Sequence, residues 1–130
     1  ILGVHFQAGQ AIGTYRYVQT AGWQREEQAG RYLLAGYGML PPGAWLTRFD
    51  KDVKNVANTS VLALPDKLLA LWEGGMPHAL NLQTLETIGL DDLDGLKGRP
   101  FSAHPKRDPH TGEIYNFGLT IGAKTRLNLY

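Results

Sequence analysis

The stretch VANTSVLALPDKLLALWEGGMPHALNLQTLETIGL, Val56–Leu90, decides how this chain is read. Its apolar residues come in short blocks, and each block ends in turn formers: Pro65–Asp66–Lys67, Gly74–Gly75, then Asn81–Gln83. Short apolar blocks bounded in this way read as strands rather than helices. "VANTSVLAL" and "LLALWEGG" therefore predict a hairpin, and "PHALNLQTLETIGL" supplies two further extended pieces.

The same rhythm continues on both sides. Toward the N-terminus, "GVHFQAGQAIGTYRYVQT" predicts a hairpin turning at Ala8–Gly9, with Tyr15 and Tyr17 on one face by the period of two. "WQREEQAGRYLLAG", Trp23 to Gly36, is the best helix candidate, about two turns long and ending toward Gly30 or Gly36. "YGMLPPGAWLTRFDKDVKN" reads as a loop, because Pro41, Pro42 and Gly43 break any regular element. Toward the C-terminus an acidic loop, "DDLDGLKGRP", leads to "FSAHPK", the turn "DPHTGE", the strand "EIYNFGLT" and a last strand, "TRLNLY". Sixteen glycines and seven prolines punctuate these segments. The expected class is all-β, built of short antiparallel strands with one short helical segment, as in a barrel, sandwich or propeller.

Composition narrows the function. The 130 residues suffice for one modest domain with a real core, and 43% apolar against 19% charged residues describes a globular chain. Thirteen basic and twelve acidic side chains leave a formal charge of +1, which makes no electrostatic case for nucleic acid as a partner. The absence of cysteine excludes a disulfide framework, a thiolate zinc site and an iron–sulfur cluster within this sequence. No apolar run is long enough to span a bilayer, and no signal-peptide pattern is present. The sequence starts at Ile1 in a strand-like pattern and stops inside another. We expect residues 1–130 to be a fragment of a single domain in a longer chain.

Several residues ask for a chemical explanation. His104 precedes Pro105, which forces extended geometry on it. A histidine so held is a core residue, a surface residue or a metal ligand, and spacing alone does not decide. His5 lies in an alternating strand, His78 follows Pro77 in a loop and His110 occupies a turn, so the four histidines do not form one obvious set. Glu73 closes the apolar run "LLALW" on the face of Leu69 and Leu71. It sits either at a solvated strand end or buried against a donor such as an imidazole N–H. Asn58 and Thr59 interrupt an apolar strand and read as a satisfied turn or edge pair. Trp23, Trp45 and Trp72 fit core positions or a ligand channel. No phosphate loop, nucleophile elbow or calcium loop is present.

Taken in order and spacing, "NVANTSVLAL", "LLALWEGGMPHALNLQTLETIGL" and "FSAHPKRDPHTGEIYNFG" resemble the carotenoid cleavage oxygenase family, which includes the retinal pigment epithelial membrane protein. The resemblance runs from about Val4 to the C-terminus and covers only the N-terminal portion of a family member. It implies a partial seven-bladed β-propeller. It also implies an iron(II) cofactor held by four histidines, three of them hydrogen-bonded to glutamates. Members of the family cleave a conjugated carbon–carbon double bond with O₂ to give two carbonyl products.

Position by position, the resemblance makes His104 in "SAHPK" the first iron-binding histidine. Glu73 becomes a glutamate orienting another ligand histidine beyond Tyr130, and Thr59 a small residue beside an open coordination position. Trp72 stands where the stilbene-cleaving branch places a lysine for a phenolic hydroxyl. It becomes a substrate-tunnel candidate and favours a carotenoid or apocarotenoid over a stilbenoid. Leu2 stands where the family has a histidine that is not an iron ligand, and His5, His78 and His110 match no ligand. The other three iron histidines are absent, so this segment alone is expected to be inactive until the remainder of the propeller completes the site. A non-catalytic propeller fragment binding apolar ligands is the alternative outside enzymes. The expected location is cytoplasmic, with peripheral membrane contact as the route to an apolar polyene dissolved in a bilayer.

Overall fold

The computed structural model describes residues 1–36, 39 and 53–130. Most of the loop expected over 37–55, Trp45 included, lies outside the described residues. In chain order the elements are β1 (Leu2–Gln7), β2 (Gln10–Tyr15), α1 (Ala21–Ala29), β3 (Ser60–Ala63), β4 (Leu68–Leu71), β5 (His78–Leu80) and β6 (Thr87–Leu90). They are followed by β7 (Lys106–Arg107), β8 (Ile114–Tyr115), β9 (Phe117–Thr120) and β10 (Arg126–Leu129).

The deciding stretch forms one antiparallel sheet in the order β3-β4-β5-β6, with Ser60 opposite Leu71, Leu68 opposite Leu80 and His78 opposite Leu90. A four-stranded meander of this kind is the form of one propeller blade. Its inner strands carry the core. Leu69, Leu71 and Leu80 are each 0% exposed, and burying a leucine is worth roughly 1.5–3 kcal/mol. Leu69 and Leu71 pack in one cluster with Ala79, Leu96, Phe101 and Ala103, so the "FSAH" segment is clamped onto the sheet.

The flanking ribbons are smaller. β1 and β2 pair around Ala8 and Gly9, whose positive φ of 49° and 77° suit a two-residue turn. Tyr15 and Tyr17 share a face, their rings edge to face at 5.4 Å. The helix starts two residues earlier than the "WQREEQ" pattern suggests, because the Thr20 hydroxyl caps it by accepting the Trp23 N–H at 3.1 Å. It ends at Gly30, which takes the left-handed conformation that closes a helix.

"EIYNFGLT" is not one strand. β8 pairs with β7 and β9 with β10, and the break between them is Asn116, whose side chain turns inward. His78, expected in a loop, lies buried in β5. Among the described residues no helix is long and apolar enough to cross a membrane.

Two contacts generate predictions. Gly118 in β9 is buried, and a Cβ there would fall on the carbonyl oxygen of Pro100. Backbone cannot retreat as a flexible side chain would, so Gly118→Ala should cost about 3 kcal/mol, visible as a lowered Tm; an unchanged Tm would show that the two segments do not meet. Glu26 reaches past the end of α1, its carboxylate accepting the Leu33 and Leu34 N–H groups at 3.1 and 3.0 Å and pairing with the Lys54 ammonium. Burial pushes this carboxyl up, but those bonds outweigh it and hold it below its ordinary value. A depressed carboxylate stabilises the fold above its unfolded pKa, and that contribution is lost as pH falls through the folded value. The stability deficit of Glu26→Gln in denaturant titrations should therefore be largest near neutral pH and shrink in acid.

Candidate functional site

The site is set by where β4 stops. Pairing with β3 ends at Leu71, and Trp72 and Glu73 run into the Gly74–Gly75 turn. The Trp72 indole folds back over both glycines: a Cβ at Gly74 would lie 2.9 Å from the ring, and one at Gly75 3.3 Å from it. The glycine pair is thus more than a strand terminator, since it gives the indole room to lie over the turn and leaves Glu73 pointing outward. The Gly75 carbonyl accepts the Phe101 N–H at 3.0 Å. This bond brings the "FSAHPK" segment beside the turn.

His104 follows, directly before Pro105 and outside any strand. Its Nε2 lies 2.6 Å from Glu73 Oε1, with the two side chains 57% and 44% exposed. Glu73 is therefore at a solvated turn and also paired with an imidazole, which combines the two alternatives the sequence left open. The histidine that Glu73 is expected to orient lies beyond Tyr130; within the described residues the carboxylate pairs with His104.

Thr59 approaches from the other side. It is exposed at the entry to β3, its N–H donating to the Leu71 carbonyl at 3.0 Å and its hydroxyl to Asn58 Oδ1 at 3.4 Å. Thr59, Trp72 and Glu73 line one cavity of about 570 Å³, with Tyr32, Met39, Lys54, Val56 and Asn58 also on its wall. The structure thus brings together the four residues to which the resemblance gave a role: Thr59, Trp72 and Glu73 around the cavity, and His104 through Glu73.

Sequence reasoning missed Tyr32 and Met39, which come from the segment after the helix. It also missed Ser60, Ser102 and Asn116, the polar groups that hold the His104 backbone. The available signal was a serine two residues before the histidine, beside an asparagine inside an apolar strand. The remaining histidines stay apart. His5 is exposed in β1, and the His110 N–H donates to Asp108 Oδ1 in its turn. Burial pushes the His78 imidazole below its ordinary pKa.

For a metal the fit is partial. His104 offers one imidazole nitrogen and Glu73 one carboxylate, on a surface open to solvent. Among the described residues no group of three or more His, Cys, Asp or Glu side chains is placed to hold an ion.

Residues 1–130 match the family described as retinal pigment epithelial membrane protein. The chain is 48% identical over 110 residues to apocarotenoid-15,15'-oxygenase of Synechocystis, covering 82% of this chain and 21% of that protein. It is 40% identical to resveratrol cleavage oxygenase 1 of Aspergillus fumigatus, covering 91% of this chain and 23% of the relative. With carotenoid cleavage oxygenase 1 of Neurospora crassa it shares 38% identity, over 91% of this chain and 22% of the relative. It therefore spans about a fifth to a quarter of the length of these curated relatives. A solved threonine-to-alanine variant of Synechocystis ACO superposes with a TM-score of 0.86 at 37% identity, covering 98% of this chain and 29% of that one. The cobalt-substituted form superposes with a TM-score of 0.83 at 38% identity, over 97% of this chain and 29% of that one. The all-β architecture described above is that of a partial propeller.

Proposed function

The chain belongs to the retinal pigment epithelial membrane protein family, and on that premise we propose that it is part of an iron(II)-dependent dioxygenase. The substrate class is a carotenoid or apocarotenoid, one of whose conjugated double bonds is cleaved with O₂ to give carbonyl products. The observation that carries the reading is the convergence of Thr59, Trp72 and Glu73 on one cavity, with His104 on the Glu73 carboxylate. Solved variants of the Synechocystis enzyme alter a threonine, a tryptophan and the glutamate after it at the spacing of Thr59, Trp72 and Glu73, which supports treating these positions as functional.

In this reading residues 1–130 are one segment of a single propeller domain, and His104 supplies one nitrogen to the iron. The other histidines come from the remainder of the propeller. When bound, the iron supplies the activation of O₂ that a protein side chain cannot provide. The work of this chain is to hold and to exclude. Extended backbone at His104 presents the imidazole, the Glu73 carboxylate orients a further ligand histidine supplied by the remainder of the propeller, and Thr59 limits access beside the iron. The half-buried Trp72 and the exposed Met39 give the cavity apolar surface for a polyene. Peripheral membrane contact would deliver such a substrate.

In the intact protein, His104→Ala should abolish iron binding and O₂-dependent turnover. Metal analysis showing full iron in that variant would refute the ligand assignment. Glu73→Gln should be milder, lowering iron affinity or activity about 10–100-fold.

A stilbenoid substrate is the second reading, favoured by the resveratrol-cleaving relatives. Against it, the apolar indole of Trp72 offers no ammonium for a phenolic hydroxyl at that position, and the Lys54 ammonium on the same cavity is paired with Glu26. Product analysis should show cleavage of an apocarotenal in preference to a hydroxystilbene, whereas cleavage of the stilbene alone would reverse the assignment.

A further inference from the structure

We propose that Asn116, acting through Ser102, is a positioning residue for the His104 imidazole. The proposal rests on the reading of His104 as a metal ligand. Within residues 1–130 the imidazole touches the Glu73 carboxylate and is otherwise more than half exposed, so what this segment contributes to its placement is the backbone of residues 101–104.

That backbone is held by buried polar groups. Ser102 is 1% and Asn116 7% exposed. The Ser102 hydroxyl donates to Asn116 Oδ1 at 2.6 Å, and Asn116 Nδ2 donates back to the Ser102 carbonyl at 2.8 Å. The His104 N–H in turn points to the same Ser102 hydroxyl at 3.4 Å. On the other side the Ser60 hydroxyl donates to the Ala103 carbonyl at 2.6 Å, so both residues before His104 are gripped. Asn116 is itself fixed, since its N–H and carbonyl pair with those of Tyr130 at 3.2 and 2.9 Å.

A carboxamide does both parts of this task at once, its oxygen accepting from the hydroxyl while its NH₂ group donates to the carbonyl. The arrangement also fixes the amide's orientation, because a flipped group would set oxygen against the acceptor-only Ser102 carbonyl. An ionised aspartate would lose the donor and bury a charge. Leucine would remove the acceptor of the Ser102 hydroxyl proton and the donor to the Ser102 carbonyl. In a closed network of this size, loss of one member loosens the others.

The test uses the intact protein loaded with cobalt(II), reading its dissociation constant and visible ligand-field spectrum, with thermal unfolding on the same samples. Ser102→Ala and Asn116→Leu should each weaken cobalt binding about 10–100-fold and change the spectrum. Ser102→Thr, which keeps the hydroxyl, should return affinity to near the parent value. Unchanged affinity and spectrum in Ser102→Ala would overturn the proposal, and that variant is decisive by itself if Asn116→Leu fails to fold. His104→Ala separates the two levels. Loss of cobalt there with retention in Ser102→Ala sinks only the positioning role, whereas retention in His104→Ala sinks the ligand reading and this proposal with it.

Discussion

One backbone hydrogen bond, from the Phe101 N–H to the Gly75 carbonyl, is what the arrangement of the site depends on. It joins a turn at the end of β4 to a segment that arrives only after two further strands and an acidic loop. Glu73 lies two residues before the acceptor and His104 three residues after the donor. Their 2.6 Å approach follows from that tie. The order of cause matters here. An ion pair between half-exposed side chains contributes about 0–1 kcal/mol, because water screens it and two mobile side chains must be ordered. Leaving one buried polar group unpaired costs about 1–3 kcal/mol. Ser102, Asn116 and the Phe101 N–H therefore decide where His104 goes, and the Glu73 contact reports the outcome rather than producing it.

The same comparison explains which parts were legible in the sequence. Strands β3 to β6 were readable because a single physical rule, apolar blocks between turn formers, governs each of them. The turn at Ala8–Gly9 and the helix stop at Gly30 were readable for a similar reason, as local chemistry decides both. Asn116 was not. It lies within "EIYNFGLT", where a strand pattern continues on both sides, and its inward turn is forced by partners at Ser102 and Tyr130 that no local window contains. His78 failed likewise. Pro77 before it suggested a loop, but pairing with Ala70 and Leu90 on its two neighbouring strands draws it into the buried sheet.

At the site, residue type was legible and partnership was not. A histidine before proline, a glutamate before two glycines and a threonine in an apolar strand each stood out. Their convergence depends on the β3–β4 register and on the Phe101–Gly75 tie, which are tertiary facts. Glu73 shows the difference. Alternation alone placed it with Leu69 and Leu71, yet pairing ends at Leu71, and two residues later the carboxylate is out in solvent beside His104. The Trp72 indole lies over the Gly74–Gly75 turn that follows, which is where the chain leaves the sheet.

Packing within residues 1–130 is also unevenly distributed, in a way that favours the site. Within residues 1–130 the two-stranded ribbons leave large apolar side chains uncovered: Phe6 in β1 is 77% exposed and Ile121 beside β9 is 82%. A two-stranded ribbon is marginal by itself. The segments that carry Glu73 and His104, in contrast, emerge directly from the best-packed part of the chain. Leu71 precedes Trp72 and Glu73, Ala103 precedes His104, and both belong to the buried cluster with Phe101. Side chains that must stay open to a substrate cannot be fixed by burying them. The fold instead buries the residues immediately before them, so that exposed chemistry stands on an ordered backbone.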